Sequence, residues 1–269
     1  MKLLISDIDG TLIPFGVNEM APEMIAFAKS LPARGVRMTF ATGKPFDRAL
    51  PIAMALDITT PLICANGALI RDPLTHATLF RCPLSSDLTE DILRVCDDPR
   101  YQCYFELNDG LFYLENDAIP AHAWRHARPG WKIPTPHRKG EPVAKRLGDT
   151  PHKIAISVAP QDLDALEENL RTRFGHTANI FSPKPDVVDI TSIEVDKGTA
   201  AVWLANHLQI DRRDVIAIGD ELNDLSLFQA AGMSIAMPDA PPALKAVATH
   251  VLNQTHSIPD QLDQILPIA

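Results

Sequence analysis

Asp7 and Asp9 are carboxylates two residues apart, followed by Gly10 and Thr11 and preceded by the apolar run Leu3-Leu4-Ile5. In an open α/β sheet, ligands bind at the carboxyl ends of the strands, so this acidic pair stands where a site belongs. One member of such a pair can attack phosphorus as a nucleophile while the other serves the leaving oxygen as acid and base. Gly10 permits a turn that brings backbone donors close to a phosphate. A second cluster, Gly219-Asp220-Glu221-Leu222-Asn223-Asp224, closes the apolar run Val215 to Ile218. Asp7, Asp9, Asp220 and Asp224 together concentrate negative charge that is unfavourable without a cation, and hard oxygen ligands beside a phosphate favour Mg²⁺.

Two shorter signals accompany these. Ala41-Thr42-Gly43-Lys44 offers a hydroxyl and backbone amides at the opening of a helix, a cradle for phosphate. Asp196-Lys197-Gly198 sets a lysine at a helix start, where it could neutralise both a nucleophile and phosphoryl oxygens. Competing readings exist for each. Asp-x-Asp-Gly could open a calcium loop, but the twelfth position is Asn18 rather than glutamate and a strand precedes it. Asp220 and Asp224 could cap the helix that follows. Thr42 could be turn chemistry, and Lys197 a solvated charge, although the helix dipole disfavours a cation in the first turn.

The elements that must position these residues follow from periodicity. Strands are expected at Leu3 to Ser6, Val36 to Ala41 and Pro61 to Ala65, alternating with helices at Met24 to Leu31 and Phe46 to Leu56. That rhythm predicts a parallel sheet with helices on both faces. It resumes late in the chain, with helices near Gly198 to His207, Leu222 to Ala230 and Pro242 to Ala246 and strands at Val215 to Ile218 and Ser234 to Met237. The middle differs. A helix near Leu88 to Cys96 leads into Tyr101 to Glu106 and Leu111 to Leu114, and the Asp109-Gly110 pair between those runs signals a hairpin. A strand at Lys153 to Val158, a helix at Leu163 to Phe174 and strands near Asn179 to Phe181 and Val187 to Thr191 complete it. The expectation is an α/β, Rossmann-like core formed by residues 1–82 and 188–269, with residues 83–187 as an inserted α+β domain.

The ordered set D-x-D-G-T, T-G, K-G and G-D-x-x-N-D resembles the haloacid dehalogenase superfamily of phosphotransferases. The length and the position of the insert resemble its Cof-like branch, with a type IIB cap that carries substrate specificity. The resemblance spans essentially the whole chain. It implies Asp7 as nucleophile and Asp9 as general acid/base, with Mg²⁺ held by the Asp7 carboxylate, the Asp9 carbonyl and Asp220. It further implies phosphoryl binding by Thr42, Gly43, Lys197 and Asn223, and support of the metal by Asp224. Asn66-Gly67 matches an N-G turn near the active site. Lys44 stands where the branch often carries arginine, and no D-G-V is found around Gln254 to Ile258. The implied enzyme is a phosphatase acting on small phosphorylated metabolites, sugar phosphates by default. Rivals are a phosphomutase of the phosphomannomutase type and a non-catalytic binding protein.

Bulk properties narrow the field. Of 269 residues 46% are hydrophobic and 22% charged, which suits a soluble globular chain rather than a disordered one. No apolar run reaches the roughly 20 residues of a membrane helix, and the N-terminal run is too short for a signal peptide. The expected location is therefore cytoplasmic. A formal net charge of −9 opposes a nucleic-acid or acidic-membrane partner. Cys64, Cys82, Cys96 and Cys103 form no C-x-x-C pair, so buried free thiols are expected. His122 and His126 have helical spacing but lack the glutamate of a zinc motif. The basic loop residues Arg125, Arg128, Trp131, Lys132, His137, Arg138 and Lys139 read as a solvated loop that could also meet an anionic substrate. Asn253-Gln254-Thr255 is a glycosylation triplet without a secretion signal.

Overall fold

The computed structural model describes residues 1–17, 19–108, 110–115, 135–138 and 149–266. The chain forms two compact units, Met1–Phe80 with Val195–Ala269, and Arg81–Glu194. His122, His126 and the side chains of the basic loop lie outside the described residues.

The first unit is built on five parallel strands: β1 (Lys2–Ser6), β2 (Val36–Phe40), β12 (Val215–Gly219), β13 (Met233–Ala236) and β14 (His250–Val251), ordered β14-β13-β12-β1-β2. Leu3, Leu4, Ile5, Val215, Ile216, Ala217 and Ile218 make the two central strands continuous apolar runs, as a sheet covered by helices on both faces requires. The helices are α1 (Pro22–Ser30), α2 (Phe46–Ala55), α5 (Lys197–His207), α6 (Leu225–Ala230), α7 (Pro242–Lys245) and α8 (Ile258–Ile265). Leu3, Ile5 and Ala217 pack with Leu204, Leu227 and Phe228 in one core cluster. Proline sits at the first turn of α1, α7 and α8, where its missing N–H costs nothing.

The α/β class agrees with the sequence pattern, but one strand does not join as expected. β3 (Leu62–Cys64) meets the parallel sheet, among the described residues, through a bridge from Ala41 to Ile63, and pairs antiparallel with β4 (Leu69–Arg71) in a three-stranded sheet completed by β5 (Thr78–Arg81). The cause is local. Ala65 and Asn66 both take left-handed backbone at φ 51° and 54°, a conformation non-glycine residues rarely adopt. They turn the chain straight back along β3. The helix expected from Leu222 also starts later, because residues Leu222–Asp224 form a 3₁₀ turn before α6.

The second unit is a six-stranded sheet ordered β10-β11-β9-β6-β7-β8, from β6 (Gln102–Leu107), β7 (Gly110–Glu115), β8 (Thr135–Arg138), β9 (Lys153–Ser157), β10 (Ala178–Lys184) and β11 (Val187–Ser192). All neighbours are antiparallel except β7 and β8. Strand alternation sends Cys103, Phe105, Ile154, Ile156, Val188 and Ile190 to one face, where they pack against Ile92, Leu166, Leu170 and Phe174 of helices α3 (Ser86–Val95) and α4 (Leu163–Phe174). The opposite parity places Glu106, Lys153 and Asp189 together, with Lys153 Nζ 2.8 Å from Asp189 and 3.7 Å from Glu106. Among the described residues no helix is long and apolar enough to cross a membrane.

Candidate active site

The loops that follow β1 and β12 carry the two acidic motifs, and the parallel pairing of Ser6 with Ile218 brings them side by side. Asp7 N–H donates to the Ile218 carbonyl at 3.0 Å, so the backbone locks the first carboxylate beside the second loop. Asp7, Asp220 and Asp224 offer carboxylate oxygens that all lie within 4.8 Å of one another, and all three residues are buried. A lysine completes the group. Lys197, the first residue of α5, is fully buried with its ammonium 2.9 Å from Asp7 Oδ2 and 2.6 Å from Asp224 Oδ1. The alternative of a solvated surface charge is thereby excluded. The helix that delivers it is anchored by a capping box: the Asp196 carboxylate accepts from Thr199 N–H, and the Thr199 hydroxyl accepts from Asp196 N–H.

Each carboxylate has a different set of partners. Asp7 Oδ1 accepts from Ile8 N–H at 2.7 Å and Oδ2 faces Lys197. Asp224 spends Oδ1 on Lys197 and Oδ2 on the amides of Asp220 and Glu221 at 3.0 and 3.1 Å, so it fastens the loop that carries Asp220. Asp220 Oδ1 accepts from the Thr11 hydroxyl at 2.6 Å, while Oδ2 points over Gly10. A Cβ at Gly10 would lie 2.0 Å from that oxygen, and the residue sits at φ 78°, so both space and backbone demand glycine.

The charges follow from this arrangement. Burial lifts the Asp220 carboxyl to about 8, aided by the Asp7 and Asp224 charges against the Thr11 hydrogen bond and Lys197. Burial also lifts Asp7 to about 6, with Lys197 opposing and the Asp224 charge assisting. For Lys197 burial acts downward, but Asp224 and Asp7 outweigh it and hold the ammonium charged. Two buried carboxylates resisting ionisation, one with an oxygen that accepts no hydrogen bond from the described residues, form a donor set suited to a hard divalent cation.

The other expected residues are arranged around this trio. Asp9 pairs with Lys44, whose ammonium is 2.5 Å from Asp9 Oδ2. Thr42 is buried, its hydroxyl accepting from Lys44 N–H at 3.2 Å, with Gly43 between them. Asn223 donates one amide N–H to Asn66 Oδ1 at 3.3 Å, and its own Oδ1 is buried without a hydrogen bond from the described residues. Sequence reasoning did not assign Thr11 its contact with Asp220, nor Lys44 its pairing with Asp9. Both adjoin quoted motifs, so only the partners were hidden, separated from them by 209 and 35 positions.

Comparison with known proteins agrees with this geometry. The family model for haloacid dehalogenase-like hydrolases matches residues 4–259. HMP-PP phosphatases from Escherichia fergusonii and Shigella boydii are 27% and 28% identical over 250 residues, covering 93% of this chain and 89% and 93% of theirs. Among solved structures, a HAD/COF-like hydrolase from Plasmodium vivax shares the fold at a TM-score of 0.83 and 20% identity, over 98% of this chain and 95% of that one. A HAD subclass IIB sugar phosphatase does so at 0.80 and 17%, over 98% and 99%. The chain belongs to the haloacid dehalogenase-like hydrolase family and is an enzyme of that family.

Proposed function

We propose that this haloacid dehalogenase-like hydrolase is a Mg²⁺-dependent phosphatase that cleaves small phosphomonoesters through an aspartyl-phosphate on Asp7. The observation that carries the reading is the buried lysine shared between Asp7 and Asp224, with a third carboxylate, Asp220, gathered beside them. A structural ion pair needs one carboxylate per lysine. Three carboxylates around one ammonium leave negative charge that a divalent cation and a phosphoryl transfer site would use.

In the proposed reaction an Asp7 oxygen attacks phosphorus and the bond from phosphorus to the leaving oxygen breaks. Asp9 gives its proton to that oxygen. Asp9 then takes a proton from water, whose oxygen attacks the same phosphorus, and the bond to Asp7 breaks to release inorganic phosphate. Lys197 is fixed where it offsets charge on the nucleophile and on the phosphoryl oxygens. Thr42, Gly43 and the second amide N–H of Asn223 supply donors for the phosphoryl group. Asp7, Asp220 and the Asp9 carbonyl would hold the cation, with Asp224 steadying their loop. When bound, Mg²⁺ supplies the positive charge that phosphoryl transfer requires.

The second unit, Arg81–Glu194, which extends past the expected boundary at residue 187 to include the whole of β11, would select among substrates, since the motif residues address only the phosphate. Sugar phosphates and related phosphomonoesters are the proposed class, in the cytoplasm. Because relatives 27% identical are HMP-PP phosphatases, HMP-PP is included among the compounds to try.

The test is phosphate release from a panel of phosphorylated metabolites, with Mg²⁺ or chelator. Release that needs the metal, vanishes in Asp7→Asn and falls about 10²–10⁴-fold in Asp9→Asn is expected. Full activity in Asp7→Asn would refute the covalent route.

A further inference from the structure

We propose that Phe15 is a specificity-determining residue: its ring forms an apolar wall beside the carboxylate cluster and selects phosphate esters whose leaving group carries a flat ring. The placement of the phosphoryl group rests on the phosphatase reading above.

Phe15 is 56% exposed, a large apolar side chain left open to solvent. Single exposed apolar residues are ordinary, so position has to carry the argument. A Cβ built on Gly10 would meet Asp220 Oδ2 at 2.0 Å and Phe15 Cε2 at 2.6 Å, so the ring edge and that carboxylate oxygen border the same point. An aromatic edge carries partial positive charge, which suits a place near a carboxylate, and the exposure of Phe15 leaves ring surface open for stacking.

The loop is preset for this. Val17 N–H donates to the Pro14 carbonyl at 3.1 Å, with Gly16 at φ 77° in the third position of the turn, where a type II geometry requires positive φ. Phe15 is thus held at a turn tip rather than on a loose segment. Val17 on the same loop and Leu222 on the loop after β12 are likewise about half exposed. The two loops that carry the carboxylates therefore each present apolar surface next to a charged centre. A phosphate ester with a flat ring on its leaving oxygen matches that pairing, because the phosphate is held by charge and the ring by stacking.

The test compares binding of phenylphosphonate and methylphosphonate by calorimetry with Mg²⁺ present. Neither is turned over, so the readout is independent of hydrolysis. The wild type is expected to prefer phenylphosphonate by about three- to tenfold, the range of one aromatic contact. Phe15→Ala should bring the ratio close to one, and Phe15→Tyr should restore it. Equal affinities in the wild type, no binding of either compound, or a ratio unchanged in Phe15→Ala would overturn the proposal. Release of phosphate from phenyl and glycerol phosphates is followed in parallel. A Phe15-dependent binding ratio without release from any ester sinks the phosphatase reading alone, whereas release with an unmoved ratio sinks the role of Phe15 alone.

Discussion

The Lys197 ammonium lies 2.9 Å from the Asp7 carboxylate with its side chain wholly buried, and Asp224 holds it from the other side at 2.6 Å. Removing one partner of a buried ion pair strands the other, at a cost of about 3–5 kcal/mol. Lys197→Met should therefore lose both activity and stability. Asp7→Asn removes a carboxylate that burial and Asp224 already disfavour, and it leaves Lys197 paired to Asp224. It should abolish turnover with the urea midpoint unchanged or raised. Urea titrations of the two variants check the contrast, and equal destabilisation would contradict it.

The metal-free protein should lose stability as pH rises. Asp220 and Asp7 have folded-state values of about 8 and about 6, above the ordinary 3.8. Between those limits the folded state binds more protons than the unfolded chain, so stability falls as pH climbs from the ordinary value through 6 to 8. Thermal unfolding in chelator should show Tm declining across that window. A decline of at least about 2–4 °C is expected, the effect of roughly 1 kcal/mol in a chain of this size. Added Mg²⁺ should raise Tm most at the alkaline end, and Asp220→Asn should flatten the slope. A Tm that rises with pH in chelator would show that the carboxylates are not strained as described.

Gly198→Ala should destabilise the protein although alanine is the better helix former by about 1 kcal/mol. Gly198 lies in the first turn of α5, and a Cβ there would stand 2.2 Å from the Ser226 carbonyl oxygen. The clash is with backbone, so α5 or the start of α6 must move, and Lys197 with it. Activity should fall together with thermal stability. A stabilised, fully active Gly198→Ala would mean that the two helices do not pack this closely.

What the sequence made legible was whatever repeats along the chain. Apolar runs located β1, β2, β12 and β13, and motif spacing located Asp7, Asp220 and Lys197 within a turn of their observed elements. Pairing was less visible. The antiparallel return of β3 depends on left-handed backbone at Ala65 and Asn66; Asn66-Gly67 signals a turn, but alanine before it does not announce the left-handed residue that reverses the chain along β3. Long-range side-chain partners were also hidden: Thr11 with Asp220, Asn66 with Asn223 and Lys44 with Asp9 each join separate loops, which only the folded sheet brings together. Burial of Lys197 had a faint trace, since a cation is unfavourable at a helix start unless carboxylates surround it.

Lys44 holds the Asp9 carboxylate at 2.5 Å, with the side chains 19% and 39% exposed. Solvent screening keeps the contribution of such a pair to stability below about 1 kcal/mol. Its kinetic weight should be larger, because an acid/base group swung off its reacting oxygen loses the advantage of orientation. Lys44→Met is therefore expected to lower kcat about tenfold while Tm moves little, and Lys44→Arg should recover most of the loss because it restores a cation of sufficient reach. Steady-state kinetics on the best substrate separates this from direct substrate binding by Lys44. A rise in KM with kcat intact would assign the lysine to the substrate, and an unchanged kcat and KM would leave Asp9 positioned by other contacts.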